Sequence, residues 1–558
     1  MNLVTRVELQ ATANIAGSSN SGGSSFTMSH EQIGFLPDDG SVTVPVVVIG
    51  NGPSGICLSY LLSGYRPYLS EGAPPHPNHI LQMKLEENLH TSILEQDLEY
   101  LCEGLEGRSA NPVALLLDSL LHPDADCGAD LPSPIRWEPE PHRAIPHVVL
   151  GKGAPGGAWN AMDTSMQTLS LGNWMELPDL PFKDWIREQR RHLRNDRATT
   201  ADVARYYRHY VKCKGLQQSF VSGVTVTSVH RLRDPELIRP SSSSSSPSAS
   251  PLHPSSACSA NGVGPARWEV RGHHLAVSGG GGGRLRCFRL RAAAVVLATG
   301  GTDSPARLGV PGEGLPFVQH APAALERAVA RGEVGRESEP LLVVGAGLTA
   351  ADAVLAARHH AAPVQHAFRR AVTDPALIFN QLPKMLYPEY HKVHHMMGES
   401  DTSYNGYASL PRHRVLEFRP DRKVLLQGPA GELRVLPVSM ALVLIGSNPD
   451  LSFLACAGRS LAMDPSRAVS CRHNPLDVHP FTYECERAPR RVDGWARGGG
   501  DGGGGYGDDG EDGGEDGAQG VGCGLFAVGP LVGDNFVRFC LGGALGVVGC
   551  LEKRWLRR

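Results

Sequence analysis

Two β-branched runs, each broken by a glycine-rich turn and continued by an apolar segment of helical spacing, predict an α/β fold with two Rossmann-like units. The first run, Val44 to Ile49, meets Gly50-Asn51-Gly52-Pro53-Ser54-Gly55, and the second, Leu341 to Val344, meets Gly345-Ala346-Gly347-Leu348-Thr349-Ala350. A third observation is that strand-like runs ending in Ala298-Thr299-Gly300 and in Leu525 to Val528 lie on either side of the second unit. The first unit is therefore read as two pieces with the second unit set between them.

Taken in order, residues 1–42 are rich in Ser and Gly and bury too little to offset their ordering entropy, which predicts a flexible leader. The first glycine turn then has the full context of a dinucleotide site. Gly50 permits the tight turn, Gly52 lets a pyrophosphate approach backbone, and Gly55 lets helix and strand pack closely. The helix that follows aims its free amides at the phosphates. Glu71, 21 residues after Gly50, is placed at the tip of the next short strand, where a carboxylate accepts hydrogen bonds from ribose hydroxyls.

Helical spacing recurs over Leu94 to Leu101 and Pro112 to Leu121, and His147 to Leu150 reads as a strand. That strand runs into Gly156-Gly157-Ala158-Trp159. Two adjacent glycines let a flat isoalloxazine lie against backbone with Trp159 as its side wall; the plainer alternative is a tight turn with a packed Trp. Downstream, Asn173 is the neutral amide able to donate to oxygen at a reduced flavin, against the commoner fate of a capping or turn Asn. Thr199 caps a helix whose Val203, Tyr206, Tyr207, Tyr210 and Val211 share one face and which stops at Gly215. Strand-like residues 224–229 follow. The Ser/Pro tract at about 239–265 and the Gly tract at about 278–284 read as disordered hairpin-tip inserts. Ala294 to Gly300 is expected to be a crossing strand that brings Thr299 and Gly300 to the flavin.

In the second unit Ala350 takes the close-packing position after Gly345 and Gly347, and the next strand, Pro363 to Phe368, ends in Arg369-Arg370. Two guanidinium groups stand where an acid would bind a free ribose 2′-hydroxyl. They suit bidentate contacts with a 2′-phosphate and predict NADPH over NADH; a solvated basic strand end is the alternative. With that nucleotide assigned to the second turn, and with Gly-Gly-Ala-Trp and Gly-Asp flanking the space between, the first turn is assigned FAD. Gly533-Asp534, between the last strand and an apolar helix over 537–551, is expected to set its carboxylate on the ribityl chain, a role compatible with simple N-capping. Residues 497–520 carry seven acids among glycines and read as a disordered, self-repelling insert. The resulting division is a FAD-binding domain over 43–335 and 451–552, an NADPH-binding domain over 336–450, and a basic tail over 553–558.

A net charge of −4 argues against a nucleic-acid-binding body, which would carry a basic face. The longest apolar runs, such as Gly542 to Leu551, fall short of the ~20 residues that span a bilayer. Twelve cysteines with no CxxC and no ligand-like spacing indicate neither a redox dithiol nor a metal site, and His391, His394 and His395 read as surface histidines. A cytoplasmic protein is expected.

With these residues laid out, the sequence resembles the oxidative stress-induced growth inhibitor family, related to the NADPH- and FAD-dependent flavin-containing monooxygenases. The resemblance is carried by GNGPSGICLSYLLSGYRPY, LEGRSANPVALL, IPHVVLGKGAPGGAW, FNQLPKMLYPEYHKVHHMM, GPLVGDNFVRF and GGALGV, and it covers nearly everything from Val44 to about Leu551. It implies a flavoprotein monooxygenase fold, a small-molecule or protein side-chain substrate with O2, and roles in restraining growth, in differentiation, in cell death and at the midbody late in division, with a partner in the division machinery. One departure bears on activity. The FxGxxxHxxxY stretch of flavin-containing monooxygenases is replaced by Leu315-Pro316-Phe317-Val318-Gln319-His320, in which His320 alone survives clearly, as a second candidate beside Asn173 for stabilising oxygen at the flavin.

Overall fold

The computed structural model describes residues 42–129, 131–164, 166–189, 196–232, 267–277, 283–398, 404–486 and 523–555. The expected leader, apart from Val42, lies outside these residues, as do the inserts at 239–265 and 497–520, most of 278–284, and residues 556–558 of the expected tail.

Uninterrupted Val, Ile, Leu and Ala runs are what a strand buried on both faces requires, and they build the first sheet. Val42–Ile49 lies at its centre, parallel to His147–Gly151 on one side and to Gly283–Leu297 on the other. Phe220–Ser222 continues the parallel order beyond His147–Gly151. Residues 283–297 form a single strand that serves two partners along one edge. Its early part pairs antiparallel with Trp268–Val277, which in turn pairs with Val224–Arg231, and its last residues pair parallel with Leu525–Ala527. Val46, Val47, Val48 and Ala294 to Leu297 are wholly buried as a result.

The chain reaches His147–Gly151 only after an excursion. From Gly64 it leaves along Tyr65–Leu69, which pairs antiparallel with the returning strand Ile135–Pro139 and not with the parallel sheet. The helix Pro112–Leu121, carried by the excursion, packs on the final helix, Cys540–Trp555; a Cβ on Gly542 would fall 2.4 Å from the Ala114 Cα. Arg538 locks this contact. Its buried guanidinium donates to Asp118 and to Asp126 (3.1 Å) and lies over the Trp174 ring, 4.7 Å from its centre.

The second sheet is parallel throughout, in the order Val318–Gln319, Met440–Val443, Leu341–Val344, Val364–Phe368, Tyr407–Pro411. Alternation by two splits its central strand between two cores: Leu341 and Val343 pack with the helices, while Leu342 and Val344 face the antiparallel strands Arg414–Phe418 and Lys423–Gln427 through Phe418, Val424 and Leu426. The chain passes out of the first sheet at Ser304–Pro305 and back at Ser447–Asn448, and these two crossings pair with each other.

Arg197, almost entirely buried, is a second tie across the molecule. It donates to the Thr168 carbonyl (2.6 Å), to Glu389 on the helix Pro388–Gly398 (2.7 Å) and to the Leu386 carbonyl (3.3 Å), with its guanidinium 4.8 Å from the centre of the Tyr387 ring. Tyr387 returns the contact by donating to the Leu169 carbonyl at 2.5 Å.

The expected helix after Thr199 runs over Thr200–Cys213, with the Thr199 hydroxyl accepting from the Asp202 amide. The expected basic tail needs correction. Lys553 to Trp555 finish the last helix, where Arg554 pairs with Glu484, a partner on the stretch before residue 487 that sequence spacing could not supply.

Candidate functional site

Each glycine turn sits where a parallel strand hands over to a helix. Gly50 takes a φ of +114°, a conformation that L side chains resist, and its N–H donates to the Leu150 carbonyl at 2.8 Å. A Cβ there would fall 2.2 Å from the Ala298 carbonyl oxygen, and one on Gly55 would fall 2.1 Å from that of Gly50. Strand, turn and helix are thus in contact because side chains are missing. Gly52 is different, since its missing Cβ faces open space, and it begins the helix Pro53–Leu62 with no side chain capping it. The first-turn amides of that helix therefore have no side-chain cap, an arrangement that suits an anionic group.

The second glycine pair converges on the first. Gly156 N–H donates to the Asn51 carbonyl at 2.9 Å, and a Cβ on Gly157 would lie 3.0 Å from the Gly52 Cα. Trp159 stands half-buried beside them, edge-on to Tyr207 with 6.3 Å between ring centres. From the other flank the crossing strand delivers Thr299 and Gly300; the Thr299 Oγ1 is buried without a hydrogen-bond partner among the described residues. The Asn173 Oδ1 is orphaned in the same way, on a turn that touches Val537–Phe539 just ahead of the final helix.

Three expected site residues are placed otherwise. Glu71 is exposed at the end of the strand paired with Ile135–Pro139, so it does not stand at the tip of the strand beside Val42–Ile49; that neighbour is His147–Gly151. Asp534 does lie between the last strand, Leu525–Ala527, and the final helix, but its carboxyl does not face outward. A short turn, Gly529–Val532, intervenes, and while Gly533 is exposed, the Asp534 carboxyl is turned inward to accept from Ser109 at 2.6 Å, with Asn111 and the Tyr483 hydroxyl (3.5 Å) beside it. Burial pushes its pKa up to about 6, against the pull of those three donors. It is Gly529 that lies on the first helix: a Cβ there would fall 2.3 Å from the Ser54 Oγ, which in turn donates to the Cys540 thiol at 3.2 Å. His320, finally, ends the edge strand Val318–Gln319 with its Nε2 3.0 Å from Glu313. Burial would raise the Glu313 carboxyl, yet His320 and the Leu308 and Gly309 amides hold it below its ordinary range. The ring therefore serves this loop.

The second turn repeats the first with cleaner geometry. Gly345 has φ +135°, its N–H donates to the Ala367 carbonyl at 3.0 Å, and a Cβ would fall 2.2 Å from the Leu444 carbonyl oxygen and 3.6 Å from the Ala350 Cβ. Gly347 faces open space and starts the helix Leu348–His359. Here the next strand does lie beside the first, Val344 opposite Ala367, so Arg369 and Arg370 follow directly from its tip. Both are exposed; Arg370 pairs with Asp374 at 2.8 Å, and Arg369 makes no ion pair among the described residues.

Sequence reading missed His366. It is fully buried, and because a carbonyl only accepts, its Nε2–H must donate to the Gly345 oxygen (2.7 Å) while its Nδ1 accepts from the Tyr407 hydroxyl (3.0 Å). Burial lowers its pKa to about 4, which keeps the ring neutral and this tautomer fixed. The signal was a titratable residue in a mostly buried strand, three positions before Arg369.

Residues 278–474 match the family model described as pyridine nucleotide-disulphide oxidoreductase. Human oxidative stress-induced growth inhibitor 2 is 49% identical over 525 residues, covering 93% of this chain and 95% of the relative. The chain belongs to the oxidative stress-induced growth inhibitor family. Human oxidative stress-induced growth inhibitor 1 is equally close, 49% identical over 536 residues, with 95% of this chain and all of the relative covered. The bacillithiol disulfide reductase of Staphylococcus aureus aligns over 92% of this chain and 99% of its own, at 13% identity and a TM-score of 0.49. The fold is α/β with two Rossmann-like dinucleotide-binding domains of the flavoprotein type. No helix among the described residues is long and apolar enough to cross a membrane.

Proposed function

We propose that this protein is an NADPH- and FAD-dependent flavoprotein of the monooxygenase type, acting with O2 on a small molecule or a protein side chain, and restraining growth as its relatives' names state. The observation that carries the reading is the lining of the first glycine turn. It combines an open glycine at the start of an uncapped helix, a Gly-Gly pair laid against it, and a buried Thr299 oxygen beside Gly50 with no partner among the described residues; the Asn173 Oδ1 is a second buried oxygen without one. These residues fit a flavin dinucleotide: Gly50, Gly52 and Gly55 would hold its pyrophosphate, and Gly156, Gly157, Trp159, Thr299 and Gly300 its ring end. NADPH would lie on Gly345, Gly347 and Ala350, with Arg369 at its 2′-phosphate.

Bound flavin would supply hydride acceptance and oxygen activation. This chain's residues bind, orient and exclude water. Neutral His366 holds the Gly345 turn, and Arg197 holds the helix Pro388–Gly398 against the Thr168–Leu169 backbone, while the buried Thr299 and Asn173 side chains would offer polar atoms to a bound flavin. Regulation of differentiation, cell death and late cell division, through a partner in the division machinery and at the midbody, belongs to the same reading by family membership.

One observation favours a second reading, an uncoupled NADPH oxidase or a regulatory scaffold with little oxygenase activity. His320, the survivor of the monooxygenase stretch, is taken up by Glu313 at the edge of the second sheet. The deciding experiment is to purify the full chain, record its visible spectrum, and follow NADPH consumption and peroxide release under O2. A flavin spectrum with NADPH consumed in excess of peroxide is expected. Stoichiometric peroxide would favour the oxidase, and a protein that stays colourless with added FAD would end the enzyme reading.

A further inference from the structure

The two glycine turns can be aligned on each other by ladder register alone. In each unit the first glycine's N–H donates to the carbonyl of a residue on the neighbouring parallel strand: Gly50 to Leu150, Gly345 to Ala367. Two residues beyond Ala367 stands Arg369, at the strand tip where a dinucleotide fold meets the adenosine ribose. Two residues beyond Leu150 stands Lys152. Glu71, two residues past the end of a strand outside this ladder, has no equivalent place.

The surroundings of Lys152 are built to match. Gly151 and Gly153 flank it, and the Asn51 side chain, which is nearly fully buried, fills the gap: its Nδ2 donates to the Gly153 carbonyl at 2.7 Å, and a Cβ on Gly151 would fall only 2.0 Å from that nitrogen. An amide from the glycine turn thus occupies the space into which a side chain at Gly151 would project. The Lys152 ammonium, about two-thirds exposed, lies 3.4 Å from Asp303.

We infer that Lys152, and not Glu71, stands at the adenosine ribose of the first site, so that FAD is held there without a ribose carboxylate. The inference rests on the assignment of FAD to the first turn. It makes the first site tolerant at the 2′ position and leaves its affinity to the pyrophosphate and ring contacts.

FAD binding to the full chain, measured by quenching of flavin fluorescence, tests it without reference to turnover. Glu71→Gln should leave the Kd within about twofold. In an Asp303→Asn background, chosen to avoid repulsion, Lys152→Glu should tighten FAD by about tenfold over Asp303→Asn alone, the gain expected of one added charge-assisted contact. A tenfold loss in Glu71→Gln, or no gain from Lys152→Glu, would overturn the inference. Gly52→Val separates this from the underlying assignment. It should abolish FAD binding, and if it does not, FAD lies elsewhere and both statements fall together.

Discussion

Replacing Asp534 with Asn isolates a charge that the fold disfavours. The carboxyl's pKa is 3.8 ordinarily and about 6 in place, where burial outweighs the donors Ser109, Asn111 and Tyr483. Because the folded value is the higher, the native chain binds more protons than the unfolded one, and stability falls as pH rises from about 4 to beyond 6. At 1.36 kcal/mol per pKa unit the difference amounts to about 3 kcal/mol at pH 7.5, and it vanishes below pH 4. Asp534→Asn keeps an acceptor for Ser109 and cannot ionise, so its advantage over wild type should grow from nothing at pH 4 to about that amount at pH 7.5. Other titrating groups are common to both proteins and cancel. The assay is urea unfolding followed by tryptophan fluorescence at a series of pH values, reading the midpoint at constant slope. An Asn variant less stable than wild type at pH 7.5 would refute the reasoning. It would mean that the donors Ser109, Asn111 and Tyr483 outweigh burial, so that the folded carboxyl titrates at or below its ordinary value and the carboxylate is the form the fold favours.

Arg369→Ala should weaken NADPH by about 10- to 100-fold, the loss of one or two charge-assisted bonds, and leave NADH within about twofold, measured by titration of nucleotide fluorescence. Arg370→Ala should do less, because that guanidinium is already engaged by Asp374. Arg197→Ala removes three donated bonds and strands the Thr168 and Leu386 carbonyls; with Glu389 about a third exposed and able to rehydrate, the loss should sit near the low end for a broken buried pair, about 3 kcal/mol by urea unfolding. A loss under about 1 kcal/mol would mean the tie is incidental.

How much of this was legible in the sequence depended on how local the deciding contact was. The second unit could be read because strand, turn, helix and next strand are consecutive from Leu341 to Arg370, so the residue at the strand tip is fixed by counting. Counting failed in the first unit for a physical reason. The strand after the helix has the right length and an acid at the right distance, yet strand neighbours are chosen by pairing, and Tyr65–Leu69 pairs with a segment some 70 residues on. Asp534 illustrates the same limit in a side chain, since it is turned inward by Ser109, over 400 residues away, with Asn111 beside it. His320 is the milder case: Glu313, seven residues earlier, was in view, but nothing in a loop of Gly and Pro says that the two side chains face each other. The turn at Gly50 and the close packing at Gly55 were legible because both are settled within six residues of each other.

The interleaving of the two sheets also governs the order in which this protein can be made. Everything the second sheet needs is finished by Val443, whereas the first sheet, begun at Val42, waits for Leu525–Ala527 and for the helix that seats Cys540 on Ser54. During synthesis the inserted unit can close while the N-terminal strands stay unsealed, with their wholly buried valines exposed until the last 30 or so residues emerge. A shortened chain ending before Leu525 would lose its C-terminal segment and, with it, the cover of the first glycine turn nearly 500 residues away.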